Sequence, residues 1–364
     1  MYTFEEVFVD DTRNGTKLKS DEYCLEGRHV IIDQGQNNIA GYTNWEEGLY
    51  IDVPAIIFGD HTRVVKYVDR PFFLGADGVK VLKCKLEGAN YKYLYYMLKN
   101  VRLPDTGYNR HFKWLKEIEF SYPQKNTQDA VVIILDKVQG IINLREQEIK
   151  ELDNLIKSRF VEMFGEPVTN PKKLQVVALG ELSELITKGA SQNWQGFSYT
   201  DDSTKTLFVT SENVREGYID ISSPKYIEDE FNKKQKRSVL HKGDFLINIV
   251  GASIGRVAQF DLNCKANINQ AVSLVRINDV RVLDKYLLVY LNSDKAQQMY
   301  NLMKSNTGRA NLSLQDISTL SILLPPIEEQ RKFELFVDHI DKLKFLHKQT
   351  LSILHHRRFM DVKF

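Results

Sequence analysis

The residues of this chain best suited to specific recognition lie in short loops rich in Gly and Asn. The first set comprises Gln34, Gln36 and Asn37, within Asp33 to Asn38, then Tyr42 after Gly41, then His61, Thr62 and Arg63 after Gly59-Asp60, then Tyr108, Asn109 and Arg110 after Gly107. Farther along come Lys188, Ser211, Asn213, Ser253, Arg256, Asn269, Gln270, Thr307, Arg309 and Asn311. Arg can offer a bidentate donor pair to guanine O6 and N7, Asn and Gln can pair with adenine N6 and N7, and hydroxyls beside Gly amides suit phosphate oxygens. Base-specific readout of DNA is the chemistry this set supports. The same residue types also make turns: Asp33 and Asp60 can cap backbone amides, and Arg63 and Arg256 can form a repeated structural ion pair.

Catalytic constellations are missing from the sequence. There is no G-x-x-x-x-G-K-[ST] phosphate cradle, and Gly251-Ala-Ser-Ile-Gly255 lacks the dinucleotide spacing and reads as a turn between strands. Leu324-Pro325-Pro326-Ile327 is not the Pro-Pro-aromatic loop of an amino-methyltransferase; Pro suits the first turn of a helix, and a helix entrance is expected there. No nucleophile elbow appears, and His355-His356-Arg357-Arg358 reads as a solvated helix end. Cys24, Cys84 and Cys264 are too few and scattered for a disulfide framework or a zinc cluster, and are expected as reduced, packed thiols.

Positioning so many loops takes a large scaffold, and 364 residues, 43% apolar, suffice for two domains. The longest aliphatic run, Ala130 to Leu135, is far below the roughly 20 residues that cross a bilayer, and the acidic start Phe4-Glu5-Glu6 is unlike a signal peptide. A cytoplasmic protein without membrane contact is expected. A net charge of +1 excludes binding of nucleic acid by bulk charge alone, although not local basic faces.

The chain matches itself. At an offset of 193, Ile56-Ile57 faces Ile249-Val250, Arg63-Val64 faces Arg256-Val257, Val79 and Leu82 face Val272 and Val275, and Lys92-Tyr93-Leu94 faces Lys285-Tyr286-Leu287. The match resumes at 201 to 202, from Thr106-Gly107 with Thr307-Gly308 to Pro123 with Pro325, as a loop insertion in the second copy would produce. Each copy orders its signals alike: short β-branched and aromatic strands, a helix (Tyr91 to Leu98, Lys285 to Leu291), a Gly-containing loop, one more strand and a long helix. The expected fold class is α+β, with two similar mixed α/β domains at 1–123 and 166–325 and long helices at 124–165 and 326–364.

Those helices carry heptads. Leu135, Ile142, Ile149, Ile156 and Met163 fill one seam position of the first, and Val131, Val138, Arg145, Leu152 and Arg159 the other. Phe333, Val337, Ile340, Leu351 and Leu354 repeat the frame in the second, interrupted by Lys344 and His347. The simplest burial of two such stripes is an antiparallel coiled coil.

With these features in view, the chain resembles the specificity subunits of type I restriction–modification systems. The resemblance rests on IIDQGQNNIAGYTN and FGDHTRVVKY in the first copy, LINIVGASIGRVA and NQAVSLV in the second, and TGRANLSLQDISTLSILLPPIEEQRKF before the last helix. It implies two target-recognition domains in inverted repeat, each reading one half of a bipartite double-stranded DNA site, with paired helices that set the unread gap. It also implies no catalytic residues in this chain, two methyltransferase subunits docked on it, and restriction (motor-nuclease) subunits beyond them. S-adenosylmethionine, ATP and Mg would belong to those partners, with no cofactor or metal in this chain. An orphan or phase-variable DNA-binding adaptor and a protein-binding scaffold stay open as alternatives.

Overall fold

The computed structural model describes residues 1–75, 77–104, 107, 109–166, 169–307 and 311–357. The chain divides into two compact units, Met1–Gln147 joined by the segment that begins at His347, and Glu148–Leu346. In the first unit, β1 (Phe8–Asp10), β2 (His29–Ile32), β3 (Gly41–Thr43), β4 (Ala55–Gly59), β5 (Val65–Val68), β6 (Phe72–Leu74) and β7 (Val79–Cys84) form two sheets. One is antiparallel, in the order β1-β7-β4-β5; the other is β3-β2-β6, with β2 and β6 parallel. β4 is buried on both faces because it lies between β7 and β5 and separates two cores. Its period of two divides it cleanly: Ile56 and Phe58 face the helices, whereas Ala55 and Ile57 face Val30, Ile32, Phe72 and Leu74 of the second sheet.

The second unit repeats this plan. β8 (Ser183–Lys188), β9 (Thr206–Val209), β10 (Tyr226–Ile227), β11 (Phe245–Asn248), β12 (Val257–Gln259), β13 (Ala266–Ile268) and β14 (Val272–Ile277) give an antiparallel sheet β8-β14-β11-β12. In a second sheet β9 and β13 run parallel, as β2 and β6 do. Phe245 and Ile247 of β11 face the helical side, and Leu246 faces Leu207, Val209, Ala266 and Ile268.

The register corrects the sequence match at one strand. Ile56 pairs with Leu82, and the residue 193 places after Leu82, Val275, pairs with Phe245. Ile56 therefore corresponds to Phe245 rather than to Ile249, a slip of four residues between equally apolar stretches. The following turn confirms it: Arg63 N–H donates to the Gly59 carbonyl at 2.8 Å, and Gly255 N–H to the Asn248 carbonyl at 2.9 Å. Arg63 thus corresponds to Gly255, both left-handed at φ 61° and 87°, and Arg256 corresponds to Val64. The two arginines are not equivalent, and Arg256 makes no ion pair among the described residues.

Helices follow each sheet in the same order: α1 (Tyr91–Asn100) and the 40-residue α2 (Lys125–Phe164); then α3 (Asp284–Leu291), α4 (Asp294–Thr307) and the 31-residue α5 (Ile327–Arg357). α4 is the insertion that the changing offset called for. One polar staple recurs at each junction. Gln128 Nε2 donates to the Pro123 carbonyl and its Oε1 accepts from Asn90 N–H; Gln330 does the same with Pro325 and Leu283. The Tyr93 hydroxyl donates to the Ser121 carbonyl as Tyr286 does to Leu323, and Lys92 pairs with Asp136 as Lys285 does with Asp338. Each long helix is thereby fixed to its own domain by the same buried amide and phenol and the same half-exposed ion pair.

Every seam position named from the heptads is buried or half-buried in both long helices. In the second unit Phe160 and Phe164 pack on Phe333, Arg159 lies over the Phe336 ring, and Asp153 pairs with Lys344 at 2.5 Å. Partners that descend along one helix as they ascend along the other define antiparallel packing. Lys344 is therefore an ion-paired member of the seam rather than a break in it. Among the described residues no helix is long and apolar enough to cross a membrane, and no group of His, Cys, Asp or Glu is arranged to hold a metal. All three cysteines are free, but Cys24, bridged to Tyr42 at the edge of β3, and Cys264, in a loop, are exposed rather than packed.

Candidate nucleic-acid interface

Each unit gathers its polar loops at the carboxyl ends of its central strands. In the first unit the chain leaves β2 through Asp33-Gln34 and β4 through Asp60-His61-Thr62, and enters β7 through Asp77-Gly78. Gln34 ties these together. Its Nε2 donates to the Asp77 carbonyl at 2.9 Å, its Oε1 accepts from His61 N–H at 3.1 Å, and its carbonyl accepts from Thr62 Oγ1 at 2.6 Å. Asp60, almost fully buried, accepts from Phe112 N–H at 2.8 Å through Oδ1 and from His111 N–H at 2.7 Å through its carbonyl. That brings the loop carrying Asn109 and Arg110, both exposed, onto the same edge. Asp33 pairs with Lys66, whose ammonium also donates to the Asn37 carbonyl. Burial of this lysine lowers its pKa against the opposing pull of the Asp33 carboxylate.

The second unit assembles its edge from equivalent places. Gly189 follows Lys188 with its backbone so near β13 that a Cβ there would lie 1.9 Å from the Ile268 carbonyl oxygen, so only glycine fits. Asn269 N–H donates to the Val209 carbonyl at 3.1 Å, next to Ser211. Asn248, fully buried at the end of β11, donates from Nδ2 to the Ser211 carbonyl at 2.9 Å and to Ser253 Oγ at 3.1 Å. Leu312 N–H donates to the Ile249 carbonyl at 2.9 Å, which sets Asn311 beside Val250. Lys188, Ser211, Ser253, Asn269, Gln270 and Asn311 thus converge, with Lys188, Gln270 and Asn311 exposed.

Not every recognition candidate faces outward. Tyr42 lies within β3 and packs against the core formed by Val30, Ile57 and Phe72, because it occupies an inward position of the strand. Asn213 is buried: its Oδ1 accepts from Thr210 N–H and Oγ1, and its Nδ2 donates to the Asp220 carbonyl. It closes its own turn, and Gln34 likewise has both amide groups engaged. Thr307 is the last residue of α4; Tyr108 and Arg309 lie outside the described residues.

A cleft of about 570 Å³ opens in the first unit, where Gln36 and Arg63 meet Tyr95, Leu98, Lys99, Val101 and Arg102. Sequence reasoning missed Lys99 and Arg102. Arg102 lies just after α1, where the two copies diverge, whereas Lys99 lies in the last turn of α1, still within the match.

The polar edges stand on a recurring scaffold that known proteins share. A sequence model of the type I restriction modification DNA specificity domain matches residues 1–154 and again 171–355. The chain belongs to this family. Its relatives include the specificity subunit of the type I restriction enzyme EcoR124I/EcoR124II of Escherichia coli, 23% identical over 346 residues that cover 90% of this chain and 82% of that protein. The specificity subunit of EcoBI, also of Escherichia coli, is 28% identical over 128 residues, which cover 35% of this chain and only 27% of that protein. Among solved structures, a type I restriction–modification S subunit from M. genitalium superimposes with a TM-score of 0.52 at 16% identity, covering 98% of this chain and 93% of that one. A chain from a structure of type I restriction–modification complex assembly and conformational transition gives 0.54 at 17% identity with the same coverage. These structures share the fold.

Proposed function

We propose that this specificity-family chain reads a bipartite DNA site, one half through the edge of each unit, within a type I restriction–modification complex. The observation that carries the reading is the duplication of the edge: equivalent loops in both units present exposed Asn and Gln side chains, joined by Arg110 in the first and Lys188 in the second, on loops fixed by buried hydrogen bonds. Gln36, Arg63, Asn109 and Arg110 are the first unit's reading groups, and Lys188, Asn269, Gln270 and Asn311 the second's. His61, Thr62, Ser211, Ser253 and Arg256 flank them. The seam of α2 and α5 sets the length of unread DNA between the halves. Two methyltransferase subunits dock on the chain and restriction subunits join them; S-adenosylmethionine, ATP and Mg act on those partners, and this chain performs no catalysis.

The test is a map of modified bases in a host with and without this chain beside its methyltransferase. The expected result is one bipartite sequence with a fixed gap that vanishes with the chain. A map that is unchanged by its removal would refute the reading.

A further inference from the structure

Beside the reading edge of the second unit the chain exposes a tryptophan next to a basic turn. Trp194 is 91% exposed, in the loop that leaves the edge through Lys188 and Gly189. The loop is nevertheless fixed. Gln195 N–H donates to the Ser191 carbonyl at 3.2 Å, Phe197 N–H donates to the Gln192 carbonyl at 2.9 Å, and Gly196 between them is left-handed at φ 79°. The Phe197 ring stands edge-on to Phe231 at 5.5 Å, in a small core with Phe208 of β9. Lys234 closes over the loop, with Nζ donating to the Gln195 carbonyl at 3.2 Å and lying 5.0 Å from the Phe197 centroid. An exposed indole on so ordered a loop loses little conformational entropy when a ligand covers it.

The basic residues come from the connection between β10 and β11, residues 228–244. Each carboxylate of that connection already has a cation of its own: Glu228 pairs with Lys205 at 2.8 Å, Asp229 with Lys265 at 2.7 Å, Glu230 with Lys233 at 3.3 Å and Asp244 with Arg276 at 2.7 Å. Glu184 of the neighbouring β8 acts on Arg276 as well. Lys234, Lys236 and Arg237, all exposed, are left without a carboxylate partner among the described residues. The scaffold does not require this charge, because the equivalent connection of the first unit, Asn44 to Pro54 between β3 and β4, holds Glu46, Glu47 and Asp52 and no Lys or Arg. Asn267 ties the basic connection to the reading edge. Its Nδ2 donates to Asn232 Oδ1 at 2.8 Å and to the Gln235 carbonyl at 3.2 Å, two residues before Asn269. Antiparallel pairing of Val239 with Asn267 directs the preceding turn, Lys236–Ser238, toward Asn269, and that turn packs on β8, which ends at Lys188.

We propose that this patch grips the DNA backbone beside the half-site read by the second unit, with Lys236 and Arg237 on phosphates and the Trp194 ring packed on the sugars between them. The proposal rests on the DNA-reading function. Its occupant follows from charge, since three cations without carboxylates stand together in a chain whose net charge is only +1, and from continuity with Lys188 and Asn269 of the edge. Backbone contacts fix position without carrying sequence, so these residues act on affinity and salt dependence rather than on the bases chosen.

The experiment measures binding of the site-bearing duplex by the complex assembled with methyltransferase subunits, as a function of salt. For Lys236→Gln with Arg237→Gln, the slope of log K against log salt is expected to become shallower by about 1.8, and the swapped pair Lys236→Arg with Arg237→Lys keeps the parent slope. For Trp194→Ala, binding is expected to weaken about tenfold at every salt concentration with the slope unchanged, because a neutral ring releases no counterion. The sequence that is modified stays the same in each variant, although the extent of modification falls. A parent-like slope in the first variant, or parent-like affinity in the tryptophan variant, overturns the proposal. So does weaker binding of the methyltransferase subunits with DNA binding intact, which would make the patch a protein-docking site. Failure of the DNA-reading function itself is distinct, because the unaltered complex would then show no preferred sequence.

Discussion

At the residue scale, the loops of the candidate interface are held by buried amides. Asn248 places the Ser211 and Ser253 turns through one Nδ2, while its Oδ1 has no hydrogen-bond partner among the described residues. Asn248→Asp keeps the shape but replaces that donor with an acceptor facing a carbonyl at 2.9 Å. A loss of about 3 kcal/mol in the second unit is expected from a buried charge without a partner. Chemical denaturation checks it; stability within 0.5 kcal/mol of the parent chain would show that Asn248 does not hold these turns. The types of these residues were legible in the sequence, but their orientation was not. Asn213 and Asn311 look alike in composition, yet one closes a turn with Thr210 and Asp220 and the other faces water, because three-dimensional partners decide the difference. Arg63 and Arg256 appeared to match for a similar reason: a one-residue shift in the turn preserves the letters and changes the geometry.

At the scale of elements, the heptads were readable because they are local and periodic, and both seams occupy the positions that the spacing predicts. The edge strands β1 and β8 were missed. At three and six residues they carry little alternation of their own and owe their conformation to pairing with β7 and β14. α4 was missed as a helix because Asp294–Thr307 is mostly polar, with Ala296 and Tyr300 its fully buried anchors. The junction staple gives the element-level prediction. Gln330→Ala removes both the acceptor for Leu283 N–H and the donor to the Pro325 carbonyl, and should destabilise the second unit by about 2 kcal/mol. Hydrogen exchange at Leu283 should accelerate at least tenfold, with the first unit's Gln128 staple unaffected. Equal acceleration at Asn90 would mean that the two junctions do not act separately.

At the scale of the whole molecule, the duplication was visible as a self-match and is realised as two units whose antiparallel sheets have the same strand order and whose second sheets share the same parallel pair. The break in offset marked where they differ, since α4 follows α3 in the second unit there. If α2 and α5 set the gap, deleting one heptad from each should shorten the unread segment by roughly 10 Å of helix, or about three base pairs, and leave both half-sites unchanged. Sequencing the modified sites of that variant would show the gap; an unaltered gap would exclude the helices as its determinant. The most direct measurement compares the maps of two paired variants, Gln36→Ala with Arg110→Ala and Gln270→Ala with Asn311→Ala. Each is expected to relax one half of the site, a different half in each case, while the other half stays intact. Simultaneous loss of both halves in either variant would contradict independent reading by the two units.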